Sequence, residues 1–418
     1  MWNDLRIDGE RLWQRLNELG EIGALPGGGV CRLALSEEDR LGRERVMGWM
    51  QELGLEIHQD AIGNVFGLRP GQQPGPPVMT GSHIDTVRTG GLYDGNLGVL
   101  AGLEVVQTLN QAGIETRRPL CVAFFTNEEG ARFAPDMMGS LVYVGGMPLE
   151  QALSTRGIDG ESVADCLTRI GAVGERPVGR PEAHAFVELH VEQGPVLEQQ
   201  GITIGAVEQV QGISWSEYRF DGCSNHAGTT PMSLRRDAAH GAVATAAYVR
   251  QRVEQAGGHQ VGTVGRMAFT PDLINVVPLS ASMTVDLRNT DDSVLRQVEE
   301  DVERFARQVA EEEGLAFERR SLARFEPVDF DPEVVGLVET TARRLGYSVR
   351  RMPSGAGHDA QMLARVCPTA MIFVPSVGGI SHNIEEYTAP EDVAAGANVL
   401  LQVLLELCQS PDVPRENP

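Results

Sequence analysis

Val78-Met79-Thr80-Gly81-Ser82-His83-Ile84-Asp85-Thr86-Val87 opens with an extended apolar segment, residues 78–81, directly followed by a histidine and an aspartate. A stretch with helical periodicity, residues 97–109, follows it, and then a second apolar run at residues 120–126. With the extended segment at residues 64–68, these read as a β-α-β arrangement of buried strands. Continuous apolar strands alternating with helices predict an α/β domain with a mostly parallel sheet covered on both faces. In such sheets, sites form outside the carboxyl ends of the strands. His83 and Asp85 stand at one of those ends.

Towards the N-terminus, Leu12, Leu16 and Leu19 recur at helical spacing beside Trp13, and Ser36 followed by Asp39 reads as an N-cap before a helix over residues 41–55. Residues 158–181 carry Gly, Arg and Pro and read as loop with one short helix around residues 163–170. From Gly212 the character changes. A partly alternating strand at residues 213–220 precedes a helix near 235–255, strands near 261–269 and 282–288, and a charged helix at 292–313, which together predict a small two-layer α+β domain. After Phe330 the pattern returns to helix and short apolar strand, with a buried strand at 368–375 and a closing helix at 394–407. The expected organisation is a core domain of residues 1–211 and 331–418, interrupted by an insert of residues 212–330. Polar, Pro-rich residues 410–418 are expected to fray.

The balance of 35 Lys+Arg against 58 Asp+Glu gives a net charge of −23, which excludes a protein built to bind phosphate backbones. Hydrophobic residues make up 42%, enough for a folded core rather than a disordered chain. No apolar run approaches the roughly 18 residues of a membrane span, and no secretory h-region follows the first residues, so no membrane partner is expected. Cys31, Cys121, Cys166, Cys223, Cys367 and Cys408 lie far apart without a Cys-x-x-Cys pair. Reduced thiols and a cytoplasmic location follow as the expectation.

Chemistry-bearing residues recur at the strand ends. Asp94 lies among glycines in Gly90-Gly91-Leu92-Tyr93-Asp94-Gly95-Asn96-Leu97-Gly98; Glu128 and Glu129 follow the 120–126 run; His190 and Glu192 end the run from Ala185; and His382 follows the 368–375 strand. Histidines and carboxylates converging on one sheet edge suit zinc, manganese, cobalt or nickel, and a shared carboxylate would hold two ions about 3.5–4 Å apart. Of the adjacent Glu128 and Glu129, one can ligate while the other takes a proton from water. Neither Gly-x-Ser-x-Gly nor a phosphate-binding Gly-x-x-x-x-Gly-Lys-Ser/Thr loop occurs.

Gly81-Ser82-His83-Ile84-Asp85-Thr86-Val87, Asp94-Gly95, Asn127-Glu128-Glu129-Gly130 and Glu188-Leu189-His190-Val191-Glu192-Gln193-Gly194 resemble the dinuclear metallopeptidase-related amidohydrolases over almost the whole chain. Asn225-His226-Ala227-Gly228, Asn275-Val276-Val277-Pro278, Asp286-Leu287-Arg288, Gly355-Ala356-Gly357-His358-Asp359 and Ile380-Ser381-His382-Asn383 are similar to the branch holding N-carbamoyl-L-amino acid hydrolases, β-ureidopropionases and allantoate amidohydrolases. The resemblance implies a mixed sheet flanked by helices, carrying two divalent metal ions, with the insert as a lid and homodimerisation domain. It implies His83, Asp94 and His190 on one metal, Asp94, Glu129 and His382 on the other, and Glu128 as general base. Peptidases of the superfamily usually carry aspartate at the His190 position. Asp85 would hold the His83 tautomer. Arg288 would clamp a substrate α-carboxylate and Asn275 would add a hydrogen bond. His226 and His358 would stabilise the oxyanion and carbamoyl atoms, with Gly357 and Gln193 also at the substrate. The implied activity is hydrolysis of an N-carbamoyl-L-amino acid to the amino acid, ammonia and carbon dioxide. Allantoate or N-carbamoyl-β-alanine are the alternative substrates, and a non-catalytic metal-binding scaffold is the remote alternative.

Overall fold

Strand Val78–His83 is buried along its whole length and runs parallel to Leu120–Phe125 on one side and Ala185–Val191 on the other. Thr369–Val374 then pairs in parallel with Ala185–Val191, so four adjacent strands point their carboxyl ends the same way. The computed structural model describes residues 2–410. The expected fraying of residues 410–418 lies, apart from Ser410, outside them.

Around this parallel centre the sheet is mixed. Val65–Arg69 adds antiparallel to Leu120–Phe125, Glu56–Gln59 adds antiparallel to Val65–Arg69, and Ile204–Val210 adds antiparallel to Thr369–Val374. The expectation of a mostly parallel sheet therefore applies to the centre and gives way at the flanks. Glu56–Gln59, Ile204–Val210 and Val349–Ser354 escape the sequence reading because they are short or mix polar with apolar residues, without the continuous apolar signal of a strand buried on both faces.

Helices Asn96–Gln111, Pro332–Arg344 and Pro390–Gln409 pack against the sheet. Asn96–Gln111 is buried on nearly every side, which its mean apolar character anticipates. Ser36 caps helix Glu37–Glu52 by accepting the Asp39 N–H, so the acidic residues ahead of Leu41 are themselves the first turn, where carboxylates face the positive end of the helix dipole.

The chain divides into two compact units, Met1–Glu208 with Asp329–Pro418, and Gln209–Val328. In the second unit, strands Ala316–Phe325, Gly212–Asp221, Ser280–Asn289 and Val261–Thr270 form one antiparallel sheet in that order. Ser280–Asn289 alternates strictly, and its Ala281, Met283, Val285 and Leu287 enter a core shared with helices Ala238–Ala256 and Asp292–Glu312. Ala316–Phe325 is a strand that the sequence reading lacks: it is an edge strand, rich in arginine and mostly exposed. Helix Ala238–Ala256 starts later than expected because Asp237 caps it, accepting the N–H groups of Ala239 and His240.

Candidate active site

His83 closes its strand, and its Nδ1–H donates to the Asp85 backbone carbonyl at 2.9 Å. This bond sets the tautomer and turns Nε2 inward, 3.5 Å from Asp94 Oδ1 and 3.3 Å from Glu128 Oε2. His190 repeats the device on the next parallel strand: its Nδ1–H donates to the Val191 carbonyl at 2.9 Å, and its Nε2 lies 3.1 Å from the same Asp94 oxygen. The other oxygen of Asp94 lies 3.5 Å from His382 Nε2, which in turn is 3.3 Å from Glu129 Oε2. His83, His190 and Asp94 are buried, whereas the His382 side chain is half-exposed.

Asp94 thus belongs to two clusters, His83/Asp94/His190 and Asp94/Glu129/His382, with the donor atoms of each cluster within 4.8 Å of one another. The donor chemistry fits divalent cations of the zinc, manganese, cobalt and nickel type, which accept imidazole nitrogen and carboxylate oxygen together. Glu188, His190 and His358 form a third close group. That group is already satisfied as a hydrogen-bonded support, since Glu188 accepts the Ser82 hydroxyl at 2.6 Å and the Ala360 N–H at 2.8 Å.

Geometry at Asp94 depends on glycine. Gly95 has φ +66°, and a Cβ there would lie 2.4 Å from the His83 ring. A side chain at that position would therefore drive His83 away from Asp94. Burial opposes ionisation of Asp94, but the His190 and His83 imidazoles win and hold it well below the ordinary carboxylate range. For Glu128 the balance reverses: burial pushes it well above that range, His83 opposes, and Asp359, Glu129 and Asp94 add to the rise. Glu129 is likewise raised, by burial and then by Asp94. A bound cation would reverse the sign of these local fields.

Asp85 meets the His83 ring through its main chain. Its main-chain carbonyl, not its carboxylate, holds the His83 Nδ1–H, and the carboxylate is 4.0 Å from that nitrogen. The carboxylate oxygens instead accept the backbone N–H groups of Glu128 at 3.2 Å and Glu129 at 3.3 Å. Glu192, a carboxylate also marked in the sequence, caps helix Val196–Gln200 by accepting the N–H groups of Val196 and Leu197.

Gln193 lies in the same cluster, with φ +57° and its Nε2 donating to Asp94 Oδ2 at 2.8 Å. Its buried Oε1 has no hydrogen-bond partner, an acceptor left over beside the clusters. His358 is buried with its Nε2 at 2.9 Å from the Ser354 hydroxyl and its ring 4.5 Å from that of His190. Gly357 precedes it against Met137.

The remaining expected residues belong to the second unit. His226, on Asn225–His226, pairs with Val276 next to Asn275, and the Asn275 carbonyl accepts the Ala227 N–H at 2.9 Å. His226 Nδ1 accepts the Gly228 N–H at 3.1 Å, which leaves Nε2 as the protonated, exposed nitrogen. Arg288 holds Asp286 through Nη2 at 2.9 Å and lies 6.0 Å from the Trp215 ring centroid.

Glu188 and Glu386 are missed by sequence reasoning as site supports. The signal for Glu188 was a carboxylate inside an otherwise apolar strand. For Glu386, its place four residues past His382 carries no such signal.

Comparison with known proteins gives this strand-edge constellation its class, a hydrolase acting on amides. Residues 79–406 match Peptidase family M20/M25/M40, and the chain belongs to that family. Within it the chain is an amidohydrolase of the carbamoylase type. It is 42% identical over 97% of its length to the N-carbamoyl-L-amino-acid amidohydrolase of Rhizobium meliloti, also covering 97% of that protein. It is 42% identical over 96% of its length to the corresponding enzyme of Geobacillus stearothermophilus, covering 99% of it. A crystal structure of a hydantoinase/carbamoylase family amidase from Burkholderia multivorans matches with a TM-score of 0.94 and 45% identity, over 98% of this chain and 100% of that one.

Proposed function

We propose that the protein hydrolyses the carbamoyl C–N bond of N-carbamoyl-L-amino acids, using two divalent metal ions per subunit. The observation that carries this reading is Asp94 standing between two donor clusters, with the Glu128 carboxylate 3.3 Å from His83 at their edge. His190 rather than an acid at its position, and the 42% identity to two N-carbamoyl-L-amino-acid amidohydrolases, support the carbamoyl substrate over a peptide.

His83, Asp94 and His190 would hold one ion, and Asp94, Glu129 and His382 the other. Bound ions would polarise the carbamoyl carbonyl and make water more acidic. Glu128 takes a proton from water as its oxygen adds to the carbamoyl carbon, then passes that proton to the α-nitrogen as the C–N bond breaks. The carbamate released falls to ammonia and carbon dioxide. Gln193, Gly357 and His358 border the carbamoyl group.

From the second unit, Arg288 holds the α-carboxylate, Asn275 hydrogen-bonds it, and His226 donates from Nε2 to the developing oxyanion. The same unit serves as lid and homodimer contact. Six free cysteines agree with a reducing, cytoplasmic setting, and no helix among the described residues is long and apolar enough to cross a membrane.

The test is ammonia release by chelator-stripped protein with and without manganese, cobalt, nickel or zinc. N-carbamoyl-L-methionine, its D-enantiomer, N-carbamoyl-β-alanine and allantoate are the substrates. Metal-dependent turnover of the L-carbamoyl compound alone is expected. Preference for allantoate or the β-alanine derivative would move the substrate and keep the mechanism, and no turnover with any metal would reject both.

A further inference from the structure

Glu386 is a buried carboxylate that the mechanism leaves unused, yet each of its oxygens is committed. Oε1 accepts the backbone N–H groups of Tyr93 at 3.2 Å and Asp94 at 3.1 Å. Oε2 accepts the hydroxyl of Ser381, which also lies 3.2 Å from Asp94 Oδ2. One side chain therefore ties the loop that carries Asp94 to the loop that carries His382. The approach is close: a Cβ on Gly91 would lie 2.2 Å from Glu386 Oε1, so only glycine lets the two loops meet here. Aromatic packing reinforces the joint. Tyr93 and Tyr387, neighbours of Asp94 and Glu386, sit edge to face at 6.0 Å, and Trp13 contacts both, at 5.6 and 6.2 Å.

The two clusters differ in how firmly their members are held. His83 and His190 stand on or at the end of central strands and are locked by main-chain carbonyls. His382 is half-exposed, has φ +53°, and belongs to a loop. Its spacing from Asp94 depends on what fastens that loop.

We infer that Glu386 is the positioning residue for the second metal site: it sets the separation of Asp94 from His382, and so governs the affinity of the Asp94/Glu129/His382 cluster without ligating. The inference rests on the dinuclear reading above. A group that holds ligands from behind typically alters metal affinity by about 10–100-fold, and here the loss should fall on one ion of two.

The experiment titrates chelator-stripped, full-length protein with cobalt(II) alone, counts bound ions by elemental analysis across a range of free cobalt, and records the melting temperature of each metal-free form. Wild type is expected to take two ions. Glu386→Ala should bind the first as wild type does and the second at least about tenfold more weakly. Glu386→Gln should restore the second to within about threefold of wild type, because the amide oxygen still accepts the Tyr93 and Asp94 N–H groups. Should Glu386→Ala fail to fold, Ser381→Ala, which removes only the hydroxyl link, carries the same expectation. Two ions at wild-type affinity in the variants, or equal weakening of both ions in step with a lower melting temperature, would overturn the inference. A wild type that never takes more than one ion would overturn the dinuclear reading, and the inference with it.

Discussion

Asp85 Oδ1 accepts the backbone N–H of Glu128 at 3.2 Å, so a side chain on the His83 strand end fixes the start of the proposed general base on the neighbouring strand end. Removing that anchor should misplace Glu128 while leaving the His83 tautomer intact, since the latter depends on the Asp85 main chain. Asp85→Ala is expected to lower kcat by about 10–100-fold with a smaller change in KM. Steady-state kinetics at saturating metal check this, and an unchanged kcat would separate Asp85 from the base.

Glu128→Gln preserves size and hydrogen-bonding reach but cannot take up the proton of water. Turnover should fall by about 10²–10⁴-fold, while bound metal and melting temperature stay near wild type. Parallel assays of ammonia release and metal content decide the case. A variant that loses metal along with activity would mark Glu128 as a ligand.

Asp94 and His382 should differ in what their loss removes. Asp94→Ala strips a donor from both clusters and is expected to abolish tight binding of either ion, whereas His382→Ala should leave one ion bound. Elemental analysis after dialysis reads the difference directly. One ion retained in both variants would show that Asp94 is not shared.

Chelation should destabilise the protein. Asp94, Glu128 and Glu129 crowd three carboxyl groups together, and a bound cation would favour their ionised, ligating forms. At metal concentrations about a thousand times Kd, binding contributes roughly 4 kcal/mol per site. Calorimetry with and without chelator should show a clear fall in Tm, reversed when metal is restored.

Asp60 gives a pH dependence away from the metal clusters. Burial lifts its carboxyl from 3.8 to about 6, against the opposing hydrogen bonds from Asn64 and Ile62. Between about pH 4 and pH 6 the folded chain keeps this proton while the unfolded chain has lost it, so the contribution favours folding at low pH and fades as pH rises through the window. Relative to Asp60→Asn, wild type should lose on the order of 2 kcal/mol of stability from pH 4 to pH 6. Urea unfolding at a series of pH values measures it. A pH-independent difference would contradict the assignment.

The core of the fold is legible in the sequence because parallel strands buried on both faces are largely apolar, as residues 78–79, 120–125 and 370–374 are. Glu56–Gln59 and Ala316–Phe325 are illegible for the converse reason: edge strands face solvent and need no apolar alternation. At the site, His83, Asp94, Glu128, Glu129, His190 and His382 are readable as polar residues that interrupt or directly follow apolar runs. Glu386 is not, since its acceptor role is defined by partners 292 and 293 positions away that only the folded loops bring close. Asp85 shows a subtler limit. Sequence marks it as a neighbour of His83, but which of its oxygens faces the ring depends on backbone geometry that spacing does not encode.

Strand Thr369–Val374 lies between Ala185–Val191 and Ile204–Val210, although both of those are translated well before it. A growing chain therefore reaches the ribosomal midpoint with a gap in its central sheet, and with His83, Asp94 and His190 already made but His382 still to come. The vacant slot can close only when residues 369–374 emerge. Completion of the sheet and arrival of the last imidazole thus follow closely in the birth of the protein, and a chain that stops before Thr369 lacks both.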